Sequence, residues 1–460
     1  MFLVSDSKVF LQTAENILAG NGFSRSAASP FLPDAHFPPL YPLLVAGSLK
    51  LASSIVPLLI FQILLGALLP LLVWKIGEMF TDKKAVHFLA AGLMAFEPVT
   101  GIFNLLVITD TVAVFSLVLA AFLFLRIFRM IHPARDAALA GLFLGLSTLT
   151  KPNAQFLFIL GLLFLFLFSL GRSVWKKARS SPALCSRTEG EGFLCEWQRA
   201  GRGNRALLTT SVFVAAFFFV LSPWLIRNTL QFGTPSVSST GLRNLYTDFA
   251  VSVVSYDTGK PYGEVEEELK TSFAKQHGIS AAQIGSDPSM GGALAREGLE
   301  IMFAHPRATL SVLTITLETF FTQDLYAYFA QKFHLIPAMT FDFSPSLVLL
   351  KEGPLTLASK VWELLGARAV IPLIGRLVWI LITLFAVGGT YAAIKSKGRE
   401  RAVAIFMVIL IFYYAATSAV AAFSDQGRHR YPADAFLFLL ASYGMIGFLS
   451  SRRNNTPQVL

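Results

Sequence analysis

Charged side chains are scarce in this chain of 460 residues: Asp, Glu, Lys and Arg make up 14%, while hydrophobic residues make up 54% and aromatic residues 13%. A soluble domain carries about 25% charged residues because its surface has to face water. So small a charged fraction, with a mean hydropathy of +0.60, excludes a soluble enzyme and a disordered or collagen-like chain. The composition predicts an all-α polytopic membrane protein, because a lipid-exposed backbone has to satisfy its own hydrogen bonds.

Cysteine is nearly absent as well. The two that occur, Cys185 and Cys195, are too few for a disulfide scaffold. Both lie in the basic stretch 172–205, where a metal site would need more ligands at closer spacing. We therefore expect free thiols on a cytoplasmic loop.

Long uncharged runs predict where the chain crosses the membrane, since about 20 helical residues cover roughly 30 Å of hydrocarbon. Six runs are long enough, one of which contains a single charge at Asp110: 54–74, 99–125, 152–171, 206–226, 377–394 and 402–423. Four weaker candidates are shorter or contain one acid: 85–96, 137–150, 308–323 and 431–449. Segment 327–368 suggests one more passage, so we expect roughly 10–13 transmembrane helices with extracytoplasmic loops.

Basic side chains predict the orientation, because cytoplasmic loops carry an excess of Lys and Arg. Five clusters hold more than half of the 38 basic residues: 75–84, 126–135, 172–205, 395–401 and 452–453. With these clusters in the cytoplasm, the outer side receives loops 5–53 and 227–306, the Asp110 region, and the turns at Lys151 and 424–430.

The pattern divides the chain into three regions. Residues 1–228, with the outer loop 5–53, are expected to form a transmembrane catalytic module, residues 229–306 an extracytoplasmic helical loop, and residues 307–460 a C-terminal transmembrane region. Residues 1–4 are apolar but too short to span, and we expect them to be the last turn of a first helix whose beginning is missing. In the extracytoplasmic loop, helices are predicted over 261–277 and from Asp287 to about residue 304.

Three sets of basic residues lie at the outer ends of predicted helices, against the usual charge bias. They are Lys151, Arg227 followed by Asn228, and the run Arg428-His429-Arg430-Tyr431. Any one of them is also explained by snorkelling or by capping of a helix C-terminus. Three sets at one membrane face favour a site for an anionic head group, with phosphate as the natural candidate.

Two acids lie at the same face. Asp110 interrupts an apolar run and is an N-cap, a functional carboxylate or both, while Asp6 is either an exposed loop acid or part of the site. His36 is either a head-group contact or an ordinary loop histidine. Together these residues suggest a cavity in which a carboxylate takes a proton from an acceptor hydroxyl while cations hold a leaving phosphate.

In these segments the sequence resembles the C-type (GT-C) glycosyltransferase superfamily, and within it the polyprenyl-phosphate-sugar-dependent branch of protein O-mannosyltransferases and the lipid A aminoarabinose transferase. The similar segments follow in the family's order: Ser5-Asp6-Ser7 with 14–24, 37–44, Ile108-Thr109-Asp110, 141–152, 222–228 and 428–432. The resemblance implies a GT-C-like helical bundle with a seven-helix conserved module and a variable C-terminal part. It also implies that Asp6 and Asp110 are catalytic acids and that the basic sets named above line the donor pocket.

The sequence departs from the family pattern in two places. The family's first transmembrane helix is absent, and Ser7 follows Asp6 where relatives often carry a second acid or a metal-binding pair. We therefore assign no metal ligand and no cofactor, and a divalent metal is left open.

The leading hypothesis is an inverting hexosyl- or pentosyltransferase in the bacterial cytoplasmic (inner) membrane, with its active site facing the periplasm. It would move a sugar from a polyprenyl-phosphate donor to a lipid, glycan or protein acceptor, with Asp6 as the general base and without any nucleic-acid partner. Two alternatives use the same charges only for binding: a transporter or flippase of a lipid-linked anion, and a catalytically silent assembly subunit.

Overall fold

The computed structural model describes residues 3–129, 131–166, 203–280, 283–335, 348, 352–422 and 426–454. Throughout this part of the chain the regular structure is helical and contains no strand, which confirms the all-α polytopic fold. Three predictions fall wholly or partly outside the described residues: the thiols of Cys185 and Cys195, residues 1 and 2 of the remnant helix expected over 1–4, and the middle of the passage expected over 327–368. Leu3 and Val4 are described and are not helical, because Val4 is the extended residue that precedes α1.

The first half of the chain forms helices that run back and forth. They are α1 (Ser5–Leu18), α2 (Leu40–Ala52), α3 (Val56–Phe80), α4 (Lys84–Phe96), α5 (Pro98–Phe103), α6 (Asp110–Ile127), α7 (Pro133–Thr150), α8 (Pro152–Phe166) and α9 (Gly203–Phe232).

The second half begins with short helices and ends with long ones. They are α10 (Thr240–Asn244), a π-helical turn (Leu245–Ala250), α11 (Val251–Thr258), α12 (Tyr262–His277), α13 (Gly291–Ala304), α14 (Pro306–Thr322), α15 (Tyr326–Lys332), α16 (Pro354–Leu365), α17 (Val370–Lys395), α18 (Arg399–Ala419) and α19 (Gln426–Asn454).

Among the described residues, six stretches are long and apolar enough to cross a membrane: Val56–Phe80, Asp110–Ile127, Leu207–Phe232, Pro354–Lys395, Arg399–Ala419 and Gln426–Ser451. Helices α2, α4 and α8 are apolar but shorter. The chain is therefore a multi-pass membrane protein. The total of 10–13 spans and the division into three regions stay predictions.

Helix α19 lies at the centre of the bundle, where α4, α6, α14, α17 and α18 pack against it. Every residue from Tyr431 to Tyr443 is buried, as expected for a helix that is surrounded on all sides. Its closest neighbour is α17, because Gly389 and Gly444 let the two backbones meet; a Cβ at either position would collide with the backbone of the other helix. A second layer, formed by α6, α7 and α9, packs beside it.

The apolar run 99–125, expected as one span, is interrupted. Helix α5 ends at Phe103 and α6 begins at Asp110, with Thr109 as its N-cap residue. The sequence expectation placed the N-cap one residue later, at Asp110. Asp110 is therefore the first residue of the helix and not the residue that caps it.

Two polar segments of the sequence form helices in the structure. The two helices predicted within 227–306 are confirmed as α12 and α13, while their position outside the bilayer stays a prediction. Helix α12 ends at Gly278, which has φ +63°. The Asp287 side chain accepts from the Ser289 amide at 2.8 Å and caps a 3-10 turn, after which α13 begins at Gly291. By contrast, the sequence predicts a polar loop over 5–53, whereas Ser5–Leu18 forms helix α1. Its residues Phe10 and Ala14 are buried against α2.

Candidate functional site

Asp110 opens α6, and none of its side chain is exposed. Polar side chains fix the turn before it. Gln62 Nε2 donates to the Leu106 carbonyl at 2.8 Å, and the Thr111 hydroxyl donates to Asn104 Oδ1 at 2.9 Å. A carboxylate in the first turn also faces the positive end of the helix dipole. The local sequence therefore builds a buried position for one negative charge.

Two basic side chains from distant parts of the chain neutralise Asp110. Lys151 Nζ, at the end of α7, lies 2.7 Å from Asp110 Oδ1. Arg428 of α19 donates to Oδ2 from Nη2 at 3.0 Å and from Nε at 3.1 Å. Charge-assisted bonds of this kind are roughly twice as strong as neutral ones, so they tie together the ends of α6, α7 and α19.

Asp6 joins the same group through Arg428, whose Nη1 lies 2.9 Å from Asp6 Oδ2. Ser7 holds the start of α1 in place, because its hydroxyl donates to the Val107 carbonyl at 2.8 Å. The structure thus brings four predicted site residues together in what we call the four-charge cluster: Asp6, Asp110, Lys151 and Arg428. The side chain of Asp6 is 29% exposed, so it is the more open of the two acids.

The four-charge cluster contains two carboxylates and two basic groups, which balance one another. The sequence predicts a rim of cations that are available to bind a phosphate. In the structure, both Lys151 and Arg428 are paired with carboxylates. A phosphate that binds to Arg428 therefore has to compete with Asp6 and Asp110. His429, the next residue of α19, is half-buried and lies where the charges of Lys151 and Arg428 act on it.

Arg430 and Tyr431 occupy the following positions on α19 but do not join the cluster. Successive residues of a helix are about 100° apart, and Arg430 faces another side, where it pairs with Asp434 at 3.1 Å. Its guanidinium lies 3.3 Å from the ring centre of Trp379 and donates to two backbone carbonyls at the end of α14. Tyr431 is buried against Phe103. Arg430 thus joins α14, α17 and α19.

Two predicted site residues lie near the end of α9 and contact neighbouring segments. Arg227 contacts the loop 19–39, and Asn228 contacts the chain that follows α9. Arg227 Nη1 donates to the Asp34 carbonyl at 2.8 Å, and its guanidinium lies 4.8 Å from the Trp224 ring. Asn228 Nδ2 donates to the Ser236 carbonyl at 2.6 Å. The structure therefore places these two predicted residues against the loop 19–39 and the segment after α9, and not in the four-charge cluster.

His36 lies in the same outer loop and contacts a residue that sequence reasoning missed. Arg243 of α10 has its Nη1 at 3.2 Å from His36 Nδ1. Because a guanidinium can only donate, His36 Nδ1 accepts, and the ring proton is on Nε2. No motif or hydropathy signal marks Arg243, which lies in a polar loop 207 residues from its partner.

An apolar cavity of about 100 Å³ lies among α6, α7, α8, α9 and α18. Along α6 it begins at Leu117, which is about 10 Å from Asp110 at 1.5 Å per residue, and it reaches Phe124. Phe213 and Phe406 close other sides. The cavity thus starts below the four-charge cluster and continues away from it.

A divalent metal does not fit the four-charge cluster. Across the described ranges, no group of three or more His, Cys, Asp or Glu side chains could hold a metal ion. The Arg428 guanidinium lies between Asp6 and Asp110 and bonds to both, and the Ser7 hydroxyl is committed to a backbone carbonyl.

The chain is thus a multi-pass helical membrane protein with a site of buried ion pairs at one end of its bundle. Residues 36–185 match the family model described as dolichyl-phosphate-mannose-protein mannosyltransferase, a GT-C superfamily domain. This confirms the GT-C resemblance over that segment and supports a membrane glycosyltransferase. His36, Asp110 and Lys151 lie inside the matched segment, whereas Asp6 and Arg428 lie outside it. No curated protein and no solved structure matches the chain.

Proposed function

We propose that the protein moves a sugar from a polyprenyl-phosphate donor to an acceptor hydroxyl at the outer face of the membrane. The observation that carries this proposal is the four-charge cluster, in which two carboxylates share Arg428 next to Lys151. The description of the matched family names a lipid-phosphate mannose as donor and a protein as acceptor. We propose these two classes of substrate for this chain and do not assign the identity of the sugar.

Asp6 acts as the general base in this proposal. It is partly exposed, whereas Asp110 is buried with both oxygens bonded. Asp6 takes the proton of the acceptor hydroxyl while the acceptor oxygen forms its bond to the anomeric carbon. The bond from that carbon to the phosphate oxygen breaks, and the electron pair leaves with the phosphate. Attack from the face opposite the phosphate inverts the anomeric centre.

Lys151 and Arg428 stabilise the phosphate as it leaves, because positive groups placed where charge develops lower the barrier. Asp110 keeps both of them in position. Arg428 also bonds to Asp6 through Nη1. A donor phosphate that accepts a hydrogen bond from Nη1 therefore replaces Asp6 as the partner of Arg428. The base is then released only when a donor is bound.

The apolar cavity supports a lipid donor, because it begins about two helical turns below Asp110 and its lining is apolar. In this arrangement the phosphate lies at the cluster and part of the polyprenyl chain lies along α6. The basic cluster 126–135 begins at the opposite end of α6, with Arg126 in its last turn. The excess of Lys and Arg there supports an outward-facing site, on the periplasmic side of a bacterial inner membrane.

The test uses membranes that contain the protein and radiolabelled decaprenyl-phosphate sugars, beginning with mannose. Release of decaprenyl phosphate and transfer of label are measured for the wild type, for Asp6→Asn and for a matched control, Glu15→Gln. Glu15 is an exposed carboxylate on the same helix. We expect Asp6→Asn to lower transfer by at least about 100-fold, the lower end of the contribution of a general base, and Glu15→Gln to match the wild type at equal abundance in the membrane.

Equal activity of Asp6→Asn and the wild type would remove Asp6 from the chemistry. Binding of every donor without turnover in the wild type would contradict the enzyme proposal and favour the transporter or the silent subunit.

A further inference from the structure

A second basic group lies outside the four-charge cluster, where α10 meets the outer loop 19–39. Arg243 donates from Nε at 3.3 Å and from Nη2 at 3.0 Å to Asn244 Oδ1, and from Nη1 to His36. Both partners are neutral groups. Within the described part of the chain these contacts use three of the five N–H groups of the guanidinium, so two donors are left for another molecule.

The acids near Arg243 are engaged elsewhere. Asp248 accepts from the hydroxyls of Thr247 at 3.3 Å and Tyr262 at 3.4 Å, and Glu266 forms an ion pair with Lys270. Burial raises the pKa of Asp248 above its ordinary value. Among the residues that the structure describes, no acid forms an ion pair with Arg243.

A second guanidinium lies close enough to act on Arg243. Arg25, in the outer loop, is 31% exposed and has its Nε 3.4 Å from Asp34 Oδ1. Burial lowers the pKa of Arg243, the negative charge of Asp248 opposes this shift, and the positive charge of Arg25 adds to it. Two like charges that are partly buried together are stabilised by an anion between them, and guanidinium groups suit the planar or tetrahedral oxygens of carboxylate or phosphate.

Arg243 and His36 lie near the elements that carry the four-charge cluster. Helix α10 packs against the turn Pro152–Ala154, which directly follows Lys151, and a Cβ at Gly241 would lie 4.0 Å from Gln155 Nε2. The ring of His36 packs on Phe37, and Phe37 packs on Phe10 of α1, the helix that begins at Asp6. The group therefore lies in the outer region beside the cluster, whereas the apolar cavity extends away from the cluster along α6.

We propose that Arg243, Arg25 and His36 form a binding site for an anionic group, a phosphate or a carboxylate, carried by the acceptor. This inference rests on the proposed function, which assigns the donor phosphate to Lys151 and Arg428. A second anion site supplied by α10 and the outer loop then orients the acceptor so that its hydroxyl faces Asp6.

The first test measures binding of radiolabelled inorganic phosphate to the purified protein in the presence of saturating decaprenyl phosphate. Arg243→Gln is expected to weaken phosphate binding by about 10-fold or more, as removal of a charged hydrogen-bond donor does. Arg243→Lys keeps the charge but loses the forked geometry, so an intermediate affinity is expected. Arg296→Gln is the matched control, because Arg296 is an exposed arginine of the neighbouring α13, and it should bind phosphate as the wild type does.

The second test separates acceptor from donor. Water can replace the acceptor, so slow hydrolysis of the labelled donor reports on the donor site alone. Arg243→Gln should lower transfer of label to membrane acceptors and leave donor hydrolysis unchanged.

Three results would overturn the proposal: equal phosphate binding by Arg243→Gln and the wild type, loss of phosphate binding by the wild type once decaprenyl phosphate is bound, or an equal fall in hydrolysis and transfer. Failure of the wild type to bind decaprenyl phosphate would instead contradict the proposed function.

Discussion

The pair of Lys151 and Asp110 allows a quantitative test of the four-charge cluster. Replacing Lys151 with Met keeps an apolar side chain of similar length and removes the bond of 2.7 Å to Asp110 Oδ1. Breaking a buried pair by removing one partner costs about 3–5 kcal/mol. Arg428 still bonds to Oδ2 of Asp110, so we expect a loss at the lower end, about 3 kcal/mol.

The measurement is a double-mutant cycle of Lys151→Met and Asp110→Asn, with unfolding followed by SDS titration in mixed micelles. The two single losses should exceed the loss of the double variant by about 2 kcal/mol, because the second substitution removes a charge that the first left unpaired. The pair of Arg399 and Asp82 has the same separation of 2.7 Å, but Asp82 is 94% exposed. The same cycle there should give less than about 1 kcal/mol. Equal coupling energies in the two cycles would refute the reasoning that burial makes the Asp110 pair strong.

Three further predictions concern residues around the site. Gly389→Leu should destabilise the protein by about 3 kcal/mol or more, because a Cβ at this position would collide with the backbone of α19. Gly388→Leu is the control and should not destabilise it, since nothing lies within 4 Å of its Cβ position. Thermal unfolding in detergent compares the two variants. Ser7→Ala should lower kcat up to about 10-fold, since one hydrogen bond that positions Asp6 is lost, and unchanged turnover at equal abundance would contradict that role. Ala121→Leu narrows the apolar cavity and should raise the KM for decaprenyl-phosphate sugar several-fold; an unchanged KM would place the lipid elsewhere.

Charges inside apolar runs were the part of the site that could be predicted from the sequence. Asp110 and Lys151 stand out because an ionisable residue in an apolar run is costly unless it has a partner or a function. Arg428 stands out as a basic residue at a predicted outer helix end, against the usual charge bias. The structure places Lys151 and Arg428 within bonding distance of Asp110, although hydropathy alone gave no pairing between them.

The direction of side chains along a helix was harder to predict. The run 428–431 was treated as one set, but consecutive helical residues point to different sides, so Arg428 and Arg430 face different surroundings. Helix α1 was missed although Phe10, Ala14 and Ile17 follow the helical spacing i, i+4, i+7, because the segment as a whole is polar. Arg243 could not have been found, since its contact with His36 depends on how two loops fold back on each other.

The distances in sequence within the four-charge cluster have a consequence for how the protein is made. Asp110 enters the membrane with α6, and Lys151 follows only 41 residues later, so this pair can form early in synthesis. Arg428 is made 318 residues after Asp110, when the helices from α1 to α18 have already been made. Until then Asp6 lacks the partner that it has in the finished protein. Formation of α19 is therefore the step that balances the site, and a chain that ends before α19 carries an unmatched acid in the four-charge cluster.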